Sequence, residues 1–107
     1  MVDNADRITV EDNEAENRYE ALADGEVVGF ARYSRRGGRT IFVHTEVSED
    51  LEGEGIGSAL VATALDAERA AERPIVPLCP FVRAYIERHT GYSDLVDYTL
   101  LAAIDGD

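Results

Sequence analysis

Three alternating glycines stand where a predicted strand gives way to a predicted helix. Gly53, Gly55 and Gly57 follow the strand that ends near Val47, and a helical pattern begins at Ile56. Because glycine has no side chain, its backbone adopts positive φ angles and lets a ligand approach closely. The first free N–H groups of the helix then point at the loop, and the helix dipole adds about half a positive charge there. The pattern predicts a backbone-built anion site that suits a pyrophosphate, with these candidate residues: Val47, Glu52, Gly53, Glu54, Gly55, Ile56, Gly57 and Ser58.

The loop also has an alternative interpretation, in which the glycines form only a mobile turn before a helix. Glu52 and Glu54 would each repel a pyrophosphate by about 1 kcal/mol in a solvated site. The arginines that could compensate lie elsewhere in the chain: Arg36 and Arg39, or Arg83 and Arg88. No Gly-Lys-Ser/Thr follows, and the preceding strands form an antiparallel meander. The loop is therefore neither a nucleoside-triphosphate loop nor a dinucleotide-binding fingerprint.

Cys79 lies between two prolines, Pro77 and Pro80. Proline is favoured at the first position of a helix, so Cys79 is predicted to cap a helix that begins at Pro80. The dipole of that helix would favour the thiolate, which makes Cys79 a candidate nucleophile or leaving-group acid. The alternative is a small buried cysteine that ends a core strand.

His44 and Glu46 lie two residues apart on the most strongly predicted strand, so both side chains should share one face of the sheet. A histidine there could accept a proton from an amine or from Cys79, with Glu46 beside it. The alternative is a pair of solvated or hydrogen-bonded residues on a strand face.

The hydrophobic periodicity changes half way along the chain. Turn pairs at 24–25 and 37–38 separate alternating segments, which predicts an antiparallel meander with strands over 18–22, 26–34 and 40–47. Helical spacing follows, and the second half is predicted to contain a helix over 56–72, a strand over 75–78, a helix over 80–89 and a last strand within 94–104. This order predicts an α+β fold, with a mainly antiparallel sheet flanked by helices. We expect one domain over 1–107, with a frayed N-terminus at 1–7 and an extra segment at 97–107.

The composition restricts the partners of this domain. The chain has 107 residues, a formal net charge of -12 and a single cysteine, and all of its basic residues other than two histidines are arginines. Such a negative field repels nucleic acid and anionic membranes. It serves either solubility or the attraction of a cationic substrate. So few cysteines and histidines predict no metal site. Without an apolar run of membrane-spanning length or a signal-peptide pattern, we expect a soluble, cytoplasmic protein.

Several stretches of the sequence carry a resemblance to a known family. The segment Glu-Gly-Glu-Gly-Ile-Gly-Ser-Ala-Leu at 52–60 resembles the acetyl-CoA loop of the GNAT superfamily of N-acetyltransferases. The superfamily pattern Arg/Gln-x-x-Gly-x-Gly/Ala falls on 52–57, with glycines matched at Gly55 and Gly57 and with Glu52 in place of Arg or Gln. A closer resemblance, to the small single-domain YjdJ-type subgroup, rests on three stretches and covers about residues 20–96: His-Thr-Glu-Val at 44–47, Ile-Gly-Ser-Ala-Leu-Val at 56–61 and Val-Pro-Leu-Cys-Pro-Phe-Val at 76–82.

The resemblance implies a GNAT fold, acetyl-CoA (coenzyme A) as the cofactor, and transfer of its acetyl group to an amine on a small molecule or a protein. Backbone N–H groups of the strand that ends near Val47 would polarise the thioester carbonyl. The acetyl group would pass to the amine directly, with His44 or a water molecule as the base, or through an acetylated Cys79. Two other classes stay open, namely a CoA-binding module without turnover and an acidic interaction protein whose glycines form only turns.

Overall fold

The computed structural model describes residues 8–51 and 55–105. One five-stranded sheet with strand order β1-β2-β3-β4-β5 forms its centre. The strands are β1 (Thr9–Asn13), β2 (Arg18–Ala23), β3 (Glu26–Arg36), β4 (Arg39–Val47) and β5 (Ile75–Pro77). The α-helices are α1 (Ile56–Ala70), α2 (Pro80–Arg88) and α3 (Tyr98–Asp105), and short 3-10 segments cover Glu14–Glu16, Glu49–Leu51 and Thr90–Leu95. The predicted α+β fold with a mainly antiparallel sheet is confirmed.

The two predicted hairpin turns of the meander are confirmed. Asp24 and Gly25 have φ angles of 52° and 83°, and Gly37 and Gly38 have φ angles of 57° and 76°. Two consecutive residues with positive φ match the right-handed twist of the flanking strands, which explains why Asp-Gly and Gly-Gly occupy these places. Strand β1, which precedes the predicted meander, runs to Asn13 and includes the acidic residues Glu11 and Asp12.

Helix α1 lies across one face of the sheet and supplies more of the core than any other helix. Its buried residues recur at helical spacing, and all but one are apolar: Ile56, Leu60, Val61, Ala64, Leu65 and Glu68. Strand residues pack against these helix residues, and they include Tyr19, Ala31, Tyr33 and Phe42. Burial of such side chains contributes about 25 cal/mol per Å² of apolar surface, so this helix holds the meander together.

Glu68 is the polar exception in the core and is fully buried. Its carboxylate accepts hydrogen bonds from the hydroxyl groups of Tyr19 and Thr40, from Arg35 Nη2 at 2.7 Å and from Arg73 Nε at 2.7 Å. Burial by itself would raise the pKa of Glu68, but these hydrogen bonds outweigh it and lower the pKa to about 2. The carboxylate therefore stays charged and ties α1 to strands β2, β3 and β4.

A β-bulge in β4 decides which side chains of that strand face α1. Tyr33 pairs with Phe42 and Arg32 pairs with His44, so Val43 is an extra residue in β4. Phe42 lies in the core. One inserted residue reverses the alternation of side chains beyond it, so Thr45 faces the α1 side and His44 faces the other side of the sheet.

Strands β4 and β5 run parallel but separate after three residue pairs. Thr40, Ile41 and Phe42 pair with Ile75, Val76 and Pro77, and Cys79 N then donates to Phe42 O at 2.9 Å. Beyond this point β5 turns into α2, while β4 continues to Val47. The last part of β4 is thus left with an open edge on this side.

The predicted last strand within 94–104 is wrong. The segment makes a single bridge between Val96 and Ile75 and then forms α3. Asp97 explains the change, because its Oδ1 accepts a hydrogen bond from Leu100 N at 2.9 Å and thereby caps the helix. Within the described ranges, no helix is long and apolar enough to cross a membrane.

Candidate active site

An open cleft of about 480 Å³ lies where β4, α1 and α2 meet. It is lined by Thr45, Val47, Leu51, Gly55, Ile56, Gly57, Ser58, Phe81 and Arg88. Five of the predicted anion-site residues are therefore part of its wall: Val47, Gly55, Ile56, Gly57 and Ser58. The other three, Glu52, Gly53 and Glu54, lie outside the described residues.

The N-terminus of α1 forms one end of the cleft. Gly55 caps the helix with φ 83° and ψ 6°, a left-handed conformation that glycine adopts without strain. Among the residues that the structure describes, no side chain caps the helix, and its first turn contains no acidic residue. The N–H groups of a first helical turn have no partners within their own helix. This end of the cleft can therefore attract and bind an anion.

Gly57 has a role that the sequence did not indicate. A Cβ atom at Gly57 would lie 2.6 Å from Cζ of Phe81, so the Phe81 ring packs directly against the backbone of α1. The Phe81 side chain is 39% exposed and lines the cleft. At this position glycine thus permits the close contact between α1 and the Phe81 ring of α2, whether or not a ligand is bound.

Arg88 supplies the cation of the cleft. It is exposed at the end of α2 and is the only one of the four arginines considered above that lines this cleft. The other three make hydrogen bonds elsewhere: Arg36 with the Ser34 hydroxyl, Arg39 with the Asp97 carboxylate and Arg83 with the Pro77 carbonyl. The fold thus selects Arg88 as the side chain that can offset negative charge in the loop.

The open edge of β4 forms the side of the cleft. Ser48 N donates to Val28 O at 2.8 Å, and Val47 pairs with Gly29. Along an antiparallel strand the backbone groups point alternately toward and away from the partner. The N–H groups of Thr45 and Val47 therefore point away from β3, toward the gap between β4 and β5. They are suitable donors for a carbonyl group in that gap.

Cys79 lies at the N-cap of α2, where the sequence predicted it, with Pro80 in the first turn. Its side chain is 2% exposed, and its Sγ lies 3.2 Å from Thr45 Oγ1. Cys79 and Thr45 thus bridge β4 and α2 at the point where the two strands separate. The thiol is close to the gap but is largely shielded from solvent.

His44 and Glu46 share one face, as predicted, and His44 Nε2 lies 2.9 Å from Glu46 Oε1. Both side chains are more than half exposed. The bulge at Val43 puts Thr45, which contacts Cys79, and His44 on opposite faces of the sheet, so the structure does not bring the two candidate residues His44 and Cys79 together. The His44 ring instead lies 6.2 Å from the Phe30 ring. The pair can still act on a group that approaches the gap from that opposite side.

Sequence reasoning missed Thr45, Phe81 and Leu51 as cleft residues. Simple alternation along β4 would put Thr45 on the face opposite Phe42, and nothing in the local sequence marks the bulge that puts both on one face. Tyr85 and His89 stack at 4.2 Å between ring centroids, so His89 packs against α2 and is not part of the cleft.

Comparison with known proteins agrees with this geometry. The profile of the GCN5-related N-acetyl-transferase family matches residues 18–95, which is more than half of the chain. The fold is also similar to the NMR structure of a GCN5-like protein from Staphylococcus aureus. The TM-score is 0.65 at 21% identity, over 84% of this chain and 88% of that chain. No curated protein is similar enough to count as a match. The chain belongs to the GCN5-related N-acetyltransferase family.

Proposed function

We propose that this protein transfers the acetyl group of acetyl-CoA to an amine. The proposal rests on one observation, which is that a single cleft presents two kinds of hydrogen-bond donor. The uncapped N-terminus of α1 lies at one end and the open edge of β4 at the other. A ligand with a diphosphate at one end and a carbonyl at the other is complementary to this arrangement.

The residues of the cleft would divide the work as follows. The first-turn N–H groups of α1, together with Ser58 and Arg88, would hold the diphosphate. The N–H groups of Thr45 and Val47 would donate to the carbonyl oxygen and stabilise the charge that develops on it. Acetyl-CoA supplies an acetyl group activated as a thioester.

A direct route suits the structure better than one through an acetylated Cys79. Cys79 is 2% exposed and contacts Thr45, so an acceptor would have to reach a nearly buried sulfur. His44 and Glu46 are exposed on the opposite side of β4 and can accept a proton from an ammonium group there. Cys79 would then serve as a proton donor to the departing thiolate.

Thiol release from acetyl-CoA with a panel of amines tests the proposal, together with calorimetry of CoA binding. Arg88→Gln should weaken CoA binding about tenfold through loss of a charge-assisted contact. Arg36→Gln is the matched control, since Arg36 is exposed at the far end of β3. Binding of CoA without thiol release for any amine would indicate a binding module instead. Absence of CoA binding would refute the proposal.

The role of Cys79 is tested separately with acetyl-CoA labelled in the acetyl group. On the direct route, no label stays on the protein and Cys79→Ser keeps part of the turnover. Stable labelling of the wild-type chain that disappears in Cys79→Ser would show the covalent route to be correct.

A further inference from the structure

A second cleft, of about 380 Å³, opens on the side of the sheet opposite α1. Its lining combines charged, aromatic and aliphatic side chains: Arg18, Val27, Val28, Gly29, Phe30, Glu46, Val47, Ser48 and Glu49. Val47 also lines the first cleft, so at this point strand β4 is the only wall between the two. A molecule in the second cleft therefore lies next to the gap where the acetyl group is proposed to bind.

One end of this cleft carries unusual positive charge for a chain of net charge -12. Arg18 lines this end, and Arg32, which lies beside the lining residue Phe30 but is not itself part of the lining, is its direct cross-strand partner. Like charges in that relation destabilise a sheet. Both guanidinium groups lie near the Phe30 ring, with Cζ atoms 4.7 and 5.4 Å from its centroid. Glu20 pairs with Arg18 through Nε at 2.7 Å.

Arg32 differs from Arg18 in its neighbours. On the same face of β2, the neighbour two positions from Arg18 is Glu20, and on β4 the neighbour two positions from His44 is Glu46. The corresponding neighbour of Arg32 on β3 is Phe30, which has no charge. Among residues 8–51 and 55–105, Arg32 forms no ion pair. An anionic group placed between the two guanidinium groups would relieve the repulsion between the arginines and would be held by both of them.

The other end of the cleft is acidic. Glu46 lies in its wall on β4 and contacts His44, and Glu49 lies just beyond the end of that strand. An ammonium group would be attracted to this end, next to Val47 and the gap. Arginine at one end and glutamate at the other make the cleft complementary to a zwitterion, with Phe30 in its wall for an apolar part.

We infer that the acceptor is a small amine that also carries a carboxylate, of the amino-acid class, with its carboxylate on Arg18 and Arg32 and its ammonium group toward Glu46. This inference rests on the proposed function. Glu46, through His44 or directly, takes one proton from the ammonium group. The amine nitrogen then bonds to the thioester carbon as the C–S bond breaks. The nitrogen loses its second proton, and the departing thiolate takes one up, so that one proton is released overall.

A diamine or polyamine fits this cleft less well. Its second cation would meet Arg18 and Arg32, an unfavourable contact that discriminates against it. The negative surface of the protein raises the encounter rate of any cation. Discrimination between bound acceptors depends on the local charges of the cleft, and these include the two arginines.

Matched pairs of amines that differ only in a carboxylate test the inference. L-phenylalanine is compared with phenethylamine, and L-lysine with cadaverine, by thiol release and by the mass of the acetylated product. We expect kcat/KM to be at least about tenfold higher for the carboxylate-bearing member of each pair. The preference should fall to near unity in Arg32→Gln. It should persist in Arg36→Gln, an exposed arginine on the same strand outside the cleft.

The two proposals fail in distinguishable ways, because CoA binding is measured by calorimetry without any acceptor. A chain that binds CoA and acetylates cadaverine or phenethylamine as well as its carboxylate-bearing partner overturns the acceptor inference alone. So does a carboxylate preference that survives Arg32→Gln. CoA binding without turnover of any amine indicates a binding module and overturns both proposals. A chain that neither binds CoA nor releases thiol overturns the proposed function, and the acceptor inference falls with it.

Discussion

Replacement of Glu68 by glutamine tests whether the buried carboxylate holds α1 to the sheet. The variant keeps the shape of the side chain but removes its charge. Glu68 is fully buried and receives four side-chain donors, from Tyr19, Thr40, Arg35 and Arg73. A glutamine amide has one acceptor oxygen, and its NH₂ group would face other donors. Arg73 would then lose the carboxylate with which it pairs, and Arg35 would keep only Asp12 and Glu14.

The pKa of Glu68 sets the size of the effect. Hydrogen bonds from the surrounding donors lower it from 4.5 to about 2 in spite of burial. That difference corresponds to about 3 kcal/mol of stability at neutral pH. Because the folded pKa is depressed, this stability is fully present above about pH 4.5 and is lost as the pH falls toward 2. Removal of one partner from a buried ion pair commonly costs 3–5 kcal/mol, roughly the same size.

Urea unfolding at several pH values between 7 and 2.5 measures the effect. At pH 7 we expect Glu68→Gln to lose about 3 kcal/mol, or roughly 10 °C in Tm for a domain of this size. The difference in unfolding free energy between wild type and variant should shrink below about pH 4.5. Glu87→Gln, an exposed carboxylate on α2, serves as the control and should change stability by less than about 0.5 kcal/mol. A loss below about 1 kcal/mol at pH 7, or a difference that does not depend on pH, would refute the reasoning.

Three further predictions concern α1, its contact with α2, and α3. Gly57→Ala should lower the urea midpoint, because its Cβ would lie 2.6 Å from the Phe81 ring. Adding Phe81→Leu to Gly57→Ala should recover part of this loss, with a coupling free energy between the two substitutions above about 0.5 kcal/mol. Strictly additive losses of stability would count against the contact. Gly55→Ala should cost about 1–2 kcal/mol, since a residue with φ 83° is strained once it has a Cβ; an unchanged midpoint would contradict this. Asp97→Ala should cost about 1 kcal/mol and reduce the helical circular dichroism signal, through loss of the bond from Leu100, whereas an unaltered signal would show that α3 needs no cap.

Local patterns in the sequence were enough to predict most of the elements. The Asp-Gly and Gly-Gly pairs fixed two hairpins, because few other residues adopt two successive positive φ angles. Pro80 marked the first turn of α2, and the glycines before Ile56 marked the start of α1. Each of these signals acts within a few residues of chain. The last segment was predicted wrongly because its apolar residues suit a strand or a helix, and the cap at Asp97 favours the helix.

The composition of the cleft needed the tertiary structure. Four arginines were candidates for the cation, and only the packing of α2 against α1 brings Arg88 to the cleft. The role of Gly57 likewise depends on Phe81, which lies in another helix. A sequence shows that such residues exist, but the distance between them follows from how the helices pack.

The sequence by itself determined that a glycine loop follows β4 and precedes α1, and that His44 and Glu46 share one face. The tertiary structure alone decided which face that is. The side chains of a strand alternate with a period of two, so a single extra residue at Val43 reverses every residue after it. That extra residue is defined by the pairing of β4 with β3, which no local pattern in β4 records. For this reason Thr45, and not His44, lies beside Cys79.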